Sequence, residues 1–232
     1  MTPPIRLVAL DMAGTTVADD GAVMGAFHQA LEAVGGAPER PDVDTYIRQT
    51  MGQAKFAVFA ELLGRDLDRA ERANAAFEAA FDRAVDRGEV VPIPGAEDAL
   101  ASLRRAGISV CLTTGFSPTT RDRILDALGW AGTVDLALSP ADAGRGRPWP
   151  DMILTAVLRL QIDDVAEVAV VGDTASDLVA GTRSGASLVV GVLSGAHTRA
   201  ELSTAPHTHL LDSVADLPAL IATHGRDARP SS

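Results

Sequence analysis

Cysteine, aromatic residues, long apolar runs and excess positive charge are all scarce in this sequence of 232 residues. It has one cysteine, Cys111, one tyrosine and 4% aromatic residues overall. A lone cysteine excludes an intrachain disulfide, so a reducing cytoplasm is the expected compartment. Cys111 lies inside the apolar run GISVCLTT and reads as a small core residue rather than a nucleophile. No apolar run is long enough to span a bilayer, and the opening MTPPIRLVAL lacks a signal-peptide layout. The formal net charge of −11 at pH 7 argues against nucleic acid and anionic membranes as partners. An anionic substrate must therefore meet a local cluster of basic residues. No internal repeat is visible, and the terminal HGRDARPSS reads as a frayed tail.

What is present suits a soluble globular protein. Hydrophobic residues make up 47% and charged residues 22%, which fits one large domain or a domain with a modest insertion. Short continuous apolar runs recur at 5–10, 108–112, 134–138, 168–171 and 188–192, with helical periodicity between most of them. Continuous runs signal strands buried on both faces, hence a doubly wound parallel α/β sheet. The ligand crevice of such a sheet lies at the carboxyl ends of its strands. Asp11, Thr113–Thr114 and Gly172–Asp173 each sit just past such an end. Residues 17–90 break the rhythm with helical patterns only, at 22–34, 43–51, 56–63 and 67–85, with Gly88 as a C-terminal stop. The expected organisation is an α/β core of 1–16 and 91–232 and an all-helical cap of 17–90 over the crevice. The alternative is a helical bundle packed elsewhere without a catalytic part.

The stretch LDMAGTTV places Asp11 at a strand end, with Gly14 letting the backbone turn close to a ligand. Asp11 is a candidate carboxylate nucleophile toward phosphorus; the plainer reading is an Asp capping a turn. In VVGDTASDLVAG, Asp173 and Asp177 are two carboxylates on one short loop. Their mutual repulsion favours a shared cation, and hard oxygen ligands suit Mg²⁺. Alternatively Asp177 caps the following helix while Asp173 makes a turn. LTTGFS offers Thr114 to phosphoryl oxygens, and GRGRPWPDMI offers Arg145 and Arg147 as guanidinium partners. No metal-ligand spacing stands out among His197, His207 and His209.

In that order, Asp11 with its Thr pair, Thr114, the Arg-Pro-x-Pro-Asp stretch and GDTASD resemble the haloacid dehalogenase superfamily over essentially the whole core. DMAGTTV with Ala13, TTGF, VGDTASD and MGQAK at 51–55 look like its phosphonoacetaldehyde hydrolase (phosphonatase) branch. The resemblance implies Asp11 as nucleophile and Lys55 as the amine that forms a Schiff base with an aldehyde. It also implies Mg²⁺ held by Asp11, the carbonyl of Ala13 and Asp173, with Asp177 supporting the metal or its waters. Thr114 and Arg147 would hold the phosphoryl group, joined by Gly14, Thr15 and Gly115. Met51, Gly52 and Phe116 would contact the rest of the substrate. A phosphomonoesterase needs a general acid for its leaving alkoxide; Ala13 removes the usual one. An imine on Lys55 would instead accept the electrons of a breaking C–P bond. Where that branch carries Cys, His and Tyr, this chain has Gly21, Val58 and Phe116. The expected substrate is a small anionic phosphonate or phosphate, and a homodimer is one expectation for the assembly. Two rivals stand: a phosphomonoesterase of the same superfamily, and a non-catalytic protein that binds a phosphorylated metabolite.

Overall fold

The apolar runs become parallel strands because both of their faces are covered. A computed structural model of the chain describes residues 3–18, 21–36 and 42–224. Its main sheet joins β1 (Leu7–Asp11), β4 (Ser109–Thr113), β5 (Leu136–Leu138), β6 (Val168–Gly172), β7 (Leu188–Val192) and β8 (His209–Leu211) in the order β5-β4-β1-β6-β7-β8. Every neighbouring pair is parallel. Along β1 the side chains alternate. Val8 and Leu10 pack with Leu100 and Leu103, whereas Leu7 and Ala9 pack with Met152 and Ala156. The strand order reverses beside β1, which puts the ligand crevice at its carboxyl end. Register brings Asp11 opposite Thr113 and Gly172 opposite Gly191, so the loops after β1, β4, β6 and β7 emerge along one rim.

Between β1 and β4 the chain leaves the sheet. A two-stranded antiparallel ribbon, β2 (Val17–Ala18) with β3 (Val91–Pro92), carries it out and back. The described residues between them form α1 (Ala22–Ala33), α2 (Val43–Gln49), α3 (Lys55–Leu62) and α4 (Leu67–Asp86). Helix α4 buries Ala70, Ala73, Phe77, Ala80, Phe81 and Ala84, a stripe at helical spacing. Asp66 caps its start by accepting from the Arg69 amide at 3.0 Å, and Gly88 follows its end with φ 72°. Helix α3 begins one residue before the expected pattern, and α2 stops at Gln49, two residues short of it.

Of the remaining helices, α5 (Ala96–Arg105), α6 (Pro118–Ala127) and α11 (Leu217–His224) cover the face of Val8, α8 (Asp151–Arg159) and α9 (Ala175–Ser184) lie toward the other, and the short α7 (Pro140–Ala143) and α10 (Arg199–Leu202) sit in the connections after β5 and β7. Strand β8 was not expected; it has three residues, and His209 on it is exposed, so no apolar run marks it. Residues 19–20, 37–41 and the tail from 225 lie outside the described residues. Among the described residues, no helix is long and apolar enough to cross a membrane.

Candidate active site

Asp11 ends β1 and is buried, as are Asp173 after β6 and Asp177 in the first turn of α9. Arg147 reaches them from the loop before α8, and its Nη1 donates to both Asp11 Oδ1 and Asp177 Oδ1. Its Nε and Nη2 are buried with no hydrogen-bond partner. Buried donors left in that state are costly, so this guanidinium is built for a further acceptor that an anion would supply.

Asp177 has both oxygens in use. Oδ2 accepts from the Thr174 amide at 3.1 Å and from the Thr174 hydroxyl at 2.5 Å, while the Asp177 amide donates to Thr174 Oγ1 at 3.4 Å. This capping box opens α9, so Asp177 caps its helix and also orients Arg147. Asp173 accepts from Thr15 Oγ1 at 3.2 Å and from the Ala196 amide at 2.7 Å. Thr15 therefore holds a carboxylate, and Thr16 secures the turn by donating to the Asp11 carbonyl at 3.0 Å.

Three buried carboxylates face one guanidinium. Burial holds the Asp11 carboxyl well above the usual carboxylate range, despite the pull of Arg147 and with a further push from Asp177. Burial and the charge of Asp177 push Asp173 up to about 6. Burial works against the Arg147 cation, but Asp11 and Asp177 outweigh it and hold it protonated. Among the described residues, no three His, Cys, Asp or Glu side chains converge on a metal position. The donor set still fits a hard divalent cation. Two carboxylates, Asp11 and Asp173, and the Ala13 backbone line one cavity, belong to a cluster whose three carboxylates outnumber its one guanidinium, and leave positions for water and phosphate, as Mg²⁺ prefers.

That cavity measures about 310 Å³, and Lys55, Gly52 and Met51 of the helical segment line it together with Thr114, Gly115 and Phe116 of the core. The two layers meet closely. A Cβ on Gly115 would lie 2.3 Å from the Gln53 carbonyl oxygen, and one on Gly52 would lie 2.9 Å from Thr174 Oγ1. Gly52 also has φ 80°, so only glycine lets the MGQAK turn settle on the aspartate loop. His197 ties the layers further. Its Nδ1 accepts from the Ala175 amide, and its Nε2 lies 3.1 Å from the Arg48 carbonyl, so it is a strut rather than a metal ligand.

Lys55 is buried in the first turn of α3. Its Nζ lies 5.1, 5.5 and 5.9 Å from the ring centroids of Phe116, Phe27 and Phe77. Phe59 and Phe81 extend these three rings into one cluster, so five of the six phenylalanines belong to the group that borders this side chain. Lys55 is also the only lysine in the chain; every other residue of the 20 Lys+Arg is arginine.

A family model for haloacid dehalogenase-like hydrolases matches residues 5–185. The chain belongs to that family. Among its curated relatives, a probable phosphatase, IndB, of Dickeya dadantii is 30% identical over 217 residues, covering 91% of each chain. A phosphonoacetaldehyde hydrolase of Bordetella pertussis is 34% identical over 155 residues, 56% of each chain, so the chain aligns with little more than half the length of that relative. Among solved structures, a phosphonoacetaldehyde hydrolase-like protein from Oleispira antarctica superposes with TM-score 0.83 at 26% identity, covering 97% of this chain and 94% of the other. A hydrolase from Pseudomonas syringae gives TM-score 0.82 at 24% identity, over 95% and 99%, and speaks for the fold alone.

Within this hydrolase fold the expected residues do not all face the cavity. Asp11, Ala13, Gly14, Thr114, Gly115, Phe116, Arg147 and Asp173 line it, with Met51, Gly52 and Lys55 from the helical segment; Thr15 and Asp177 stand behind. Arg145 points away, bonded to Asp151 at 2.7 Å. Thr113 turns its hydroxyl to the Leu10 carbonyl at 3.4 Å. Ser194, Gly195 and Ala196 also line the cavity and were not anticipated. Their signal was available, because the loop after β7 leaves the sheet at the same rim.

Proposed function

We propose that this hydrolase cleaves the C–P bond of a small 2-oxo phosphonate, with Asp11 as nucleophile and Lys55 as the electron sink. The observation that carries this reading is the setting of Lys55. The chain's only lysine lines the same cavity as Asp11, and a guanidinium cannot replace an amine in imine formation. Ala13 is its counterpart. Among the described residues the only carboxylates lining the cavity are Asp11 and Asp173, so none of those residues supplies a third acid for a leaving alkoxide.

The steps follow from those positions. The Lys55 amine adds to the substrate carbonyl and water leaves, giving a protonated imine. A carboxylate oxygen of Asp11 attacks phosphorus as the C–P bond breaks. The bond pair becomes a C=C bond while the C=N pair moves to nitrogen, so the leaving group departs as a neutral enamine. Protonation at carbon and hydrolysis release the dephosphorylated carbonyl compound and free the amine. A second water cleaves the aspartyl-phosphate to phosphate. Arg147, with its two unpartnered nitrogens, and the Thr114–Gly115 turn hold the phosphoryl oxygens. Mg²⁺ on Asp11, Asp173 and the Ala13 carbonyl would neutralise charge at phosphorus. Asp177 acts through Arg147. The helical segment 17–90 serves as the cap that keeps water from the imine.

Kinetics of Lys55→Arg test the reading. With phosphonoacetaldehyde, kcat/KM should fall by about 10³ or more while the thermal melt stays near wild type. A second reading, a phosphomonoesterase, draws support from the relation to the Dickeya phosphatase across 91% of both chains. Under it Lys55 only attracts an anion, so Lys55→Arg keeps kcat and raises KM modestly, and a phosphate monoester is the better substrate.

A further inference from the structure

His197 is buried where the helical segment meets the core, yet it does not line the cavity. Both of its ring nitrogens are in use. Nδ1 accepts from the Ala175 amide at 3.1 Å, so the ring proton sits on Nε2. From there it is donated to the Arg48 carbonyl oxygen, 3.1 Å away. The core end of this bridge is the aspartate loop itself. Ala175 opens α9, the His197 amide donates to the Asp173 carbonyl at 3.3 Å, and the Ala196 amide holds the Asp173 carboxylate at 2.7 Å. The other end is the turn that leads to Lys55. The Arg48 carbonyl also accepts from the Met51 amide at 3.2 Å, and the Gln53 amide closes on the Thr50 carbonyl at 3.1 Å, two residues before Lys55 begins α3.

Other contacts along this seam limit how near the layers come, not how they slide. Gly52 and Gly115 meet the opposite layer by packing, which is non-directional. The Gln53 side chain lies 3.4 Å from Ser176 Oγ, beyond the usual hydrogen-bond range. The bond from His197 falls inside that range and is directional, and its burial leaves the two groups without a substitute partner once it is lost.

We propose that His197 is a positioning residue, which latches the MGQAK turn to the aspartate loop and so fixes where the Lys55 amine stands relative to Asp11. The inference rests on the roles given to those two residues above and adds one that acts only through them. The imine carbon and the phosphorus belong to one small molecule, so amine and carboxylate must keep a set separation. A displacement of about 1 Å costs on the order of 10²-fold in rate. Releasing the latch loosens that separation without abolishing it, and the expected loss is about tenfold.

Two variants separate the ends of the bridge. In His197→Asn the side-chain oxygen takes the place of Nδ1 and still accepts from Ala175, but nothing reaches Arg48. In His197→Gln the amide nitrogen takes the place of Nε2 and still donates to Arg48, while the acceptor for Ala175 is lost. With Mg²⁺ and phosphonoacetaldehyde, His197→Asn should lower kcat/KM about tenfold and speed hydrogen exchange at the amides of residues 51–55 by about as much. His197→Gln should stay within about threefold of wild type in both. A role confined to capping α9 and holding Asp173 reverses that order and overturns the latch, as do two variants with equal effects. In wild type, ¹⁵N NMR should show the His197 ring protonated on Nε2 and bare on Nδ1; a proton on Nδ1 overturns the latch without any variant having to fold. If Lys55→Arg retains phosphonate turnover, the C–P reading falls, and the exchange order of the two histidine variants then decides the latch by itself.

Discussion

The sheet rim and the helical wall of this one cavity differ in how much each residue is constrained. At the rim, Asp11, Arg147, Asp173 and Asp177 are buried, cross-bonded and held by Thr15, Thr174 and the Ala196 amide. Removing Arg147 would leave Asp11 and Asp177 buried without their cation, which is among the most costly of substitutions. The wall opposite rests on packing, with Lys55 set among phenylalanine rings and apolar side chains lining the space beside it. Packing accepts exchanges of similar volume, so this wall can change its preferred carbon skeleton while the phosphoryl chemistry stays fixed.

The contrast can be broken most severely at Asp11. Asp11→Asn removes the carboxylate that the proposed mechanism uses as nucleophile and should lower kcat by about 10⁴ or more for every substrate, whatever its carbon skeleton. Steady-state phosphate release, with a melt to verify folding, measures this. If the loss were confined to one class of substrate, the rim would not be the common machinery.

A smaller effect sharpens the electrostatic side. In the metal-free protein the Asp173 carboxyl sits at about 6, against about 3.9 in the unfolded chain. The folded state therefore holds the extra proton between those values, and stability falls as pH rises from about 4 through 6. The loss is on the order of 2–3 kcal/mol, or roughly 5–10 °C in Tm. Melts in EDTA across that range should show the fall, saturating Mg²⁺ should reverse it by binding the folded state, and Asp173→Asn should reduce it, leaving the part that the buried Asp11 carboxyl contributes in the same direction. A metal-free Tm that rises from pH 4 to 6, with no response to Mg²⁺, would contradict the charge imbalance described at the rim.

Much of the rim was legible in the chain because strand ends are legible. Buried parallel strands leave unbroken apolar runs, and the residue just past each run faces the crevice. Asp11, Thr114 and Asp173 were found that way. Helix capping by Asp177 was one of the two readings its sequence position offered, but its hold on Arg147 and the bracing role of Thr15 were not legible, because they depend on contacts 30 and 158 residues away in sequence. The loop at 194–196 follows a recognised run but holds no charged residue to draw notice. Strand β8 is too short and too polar to leave a run. The wall was the least legible part. Phe27, Phe77 and Phe116 lie on two helices and a loop far apart in sequence, and only the fold brings them around Lys55. One signal there was plain in the composition, a single lysine among so many arginines.

That solitary amine makes the decisive measurement unusually clean. Wild-type protein with Mg²⁺ and phosphonoacetaldehyde is treated with sodium borohydride, digested and mapped by mass spectrometry. The account predicts one substrate-dependent adduct, on the peptide containing MGQAK, absent from Lys55→Arg. Phosphate release from the phosphonate without any adduct, undiminished in Lys55→Arg, would contradict it and remove Lys55 from the chemistry.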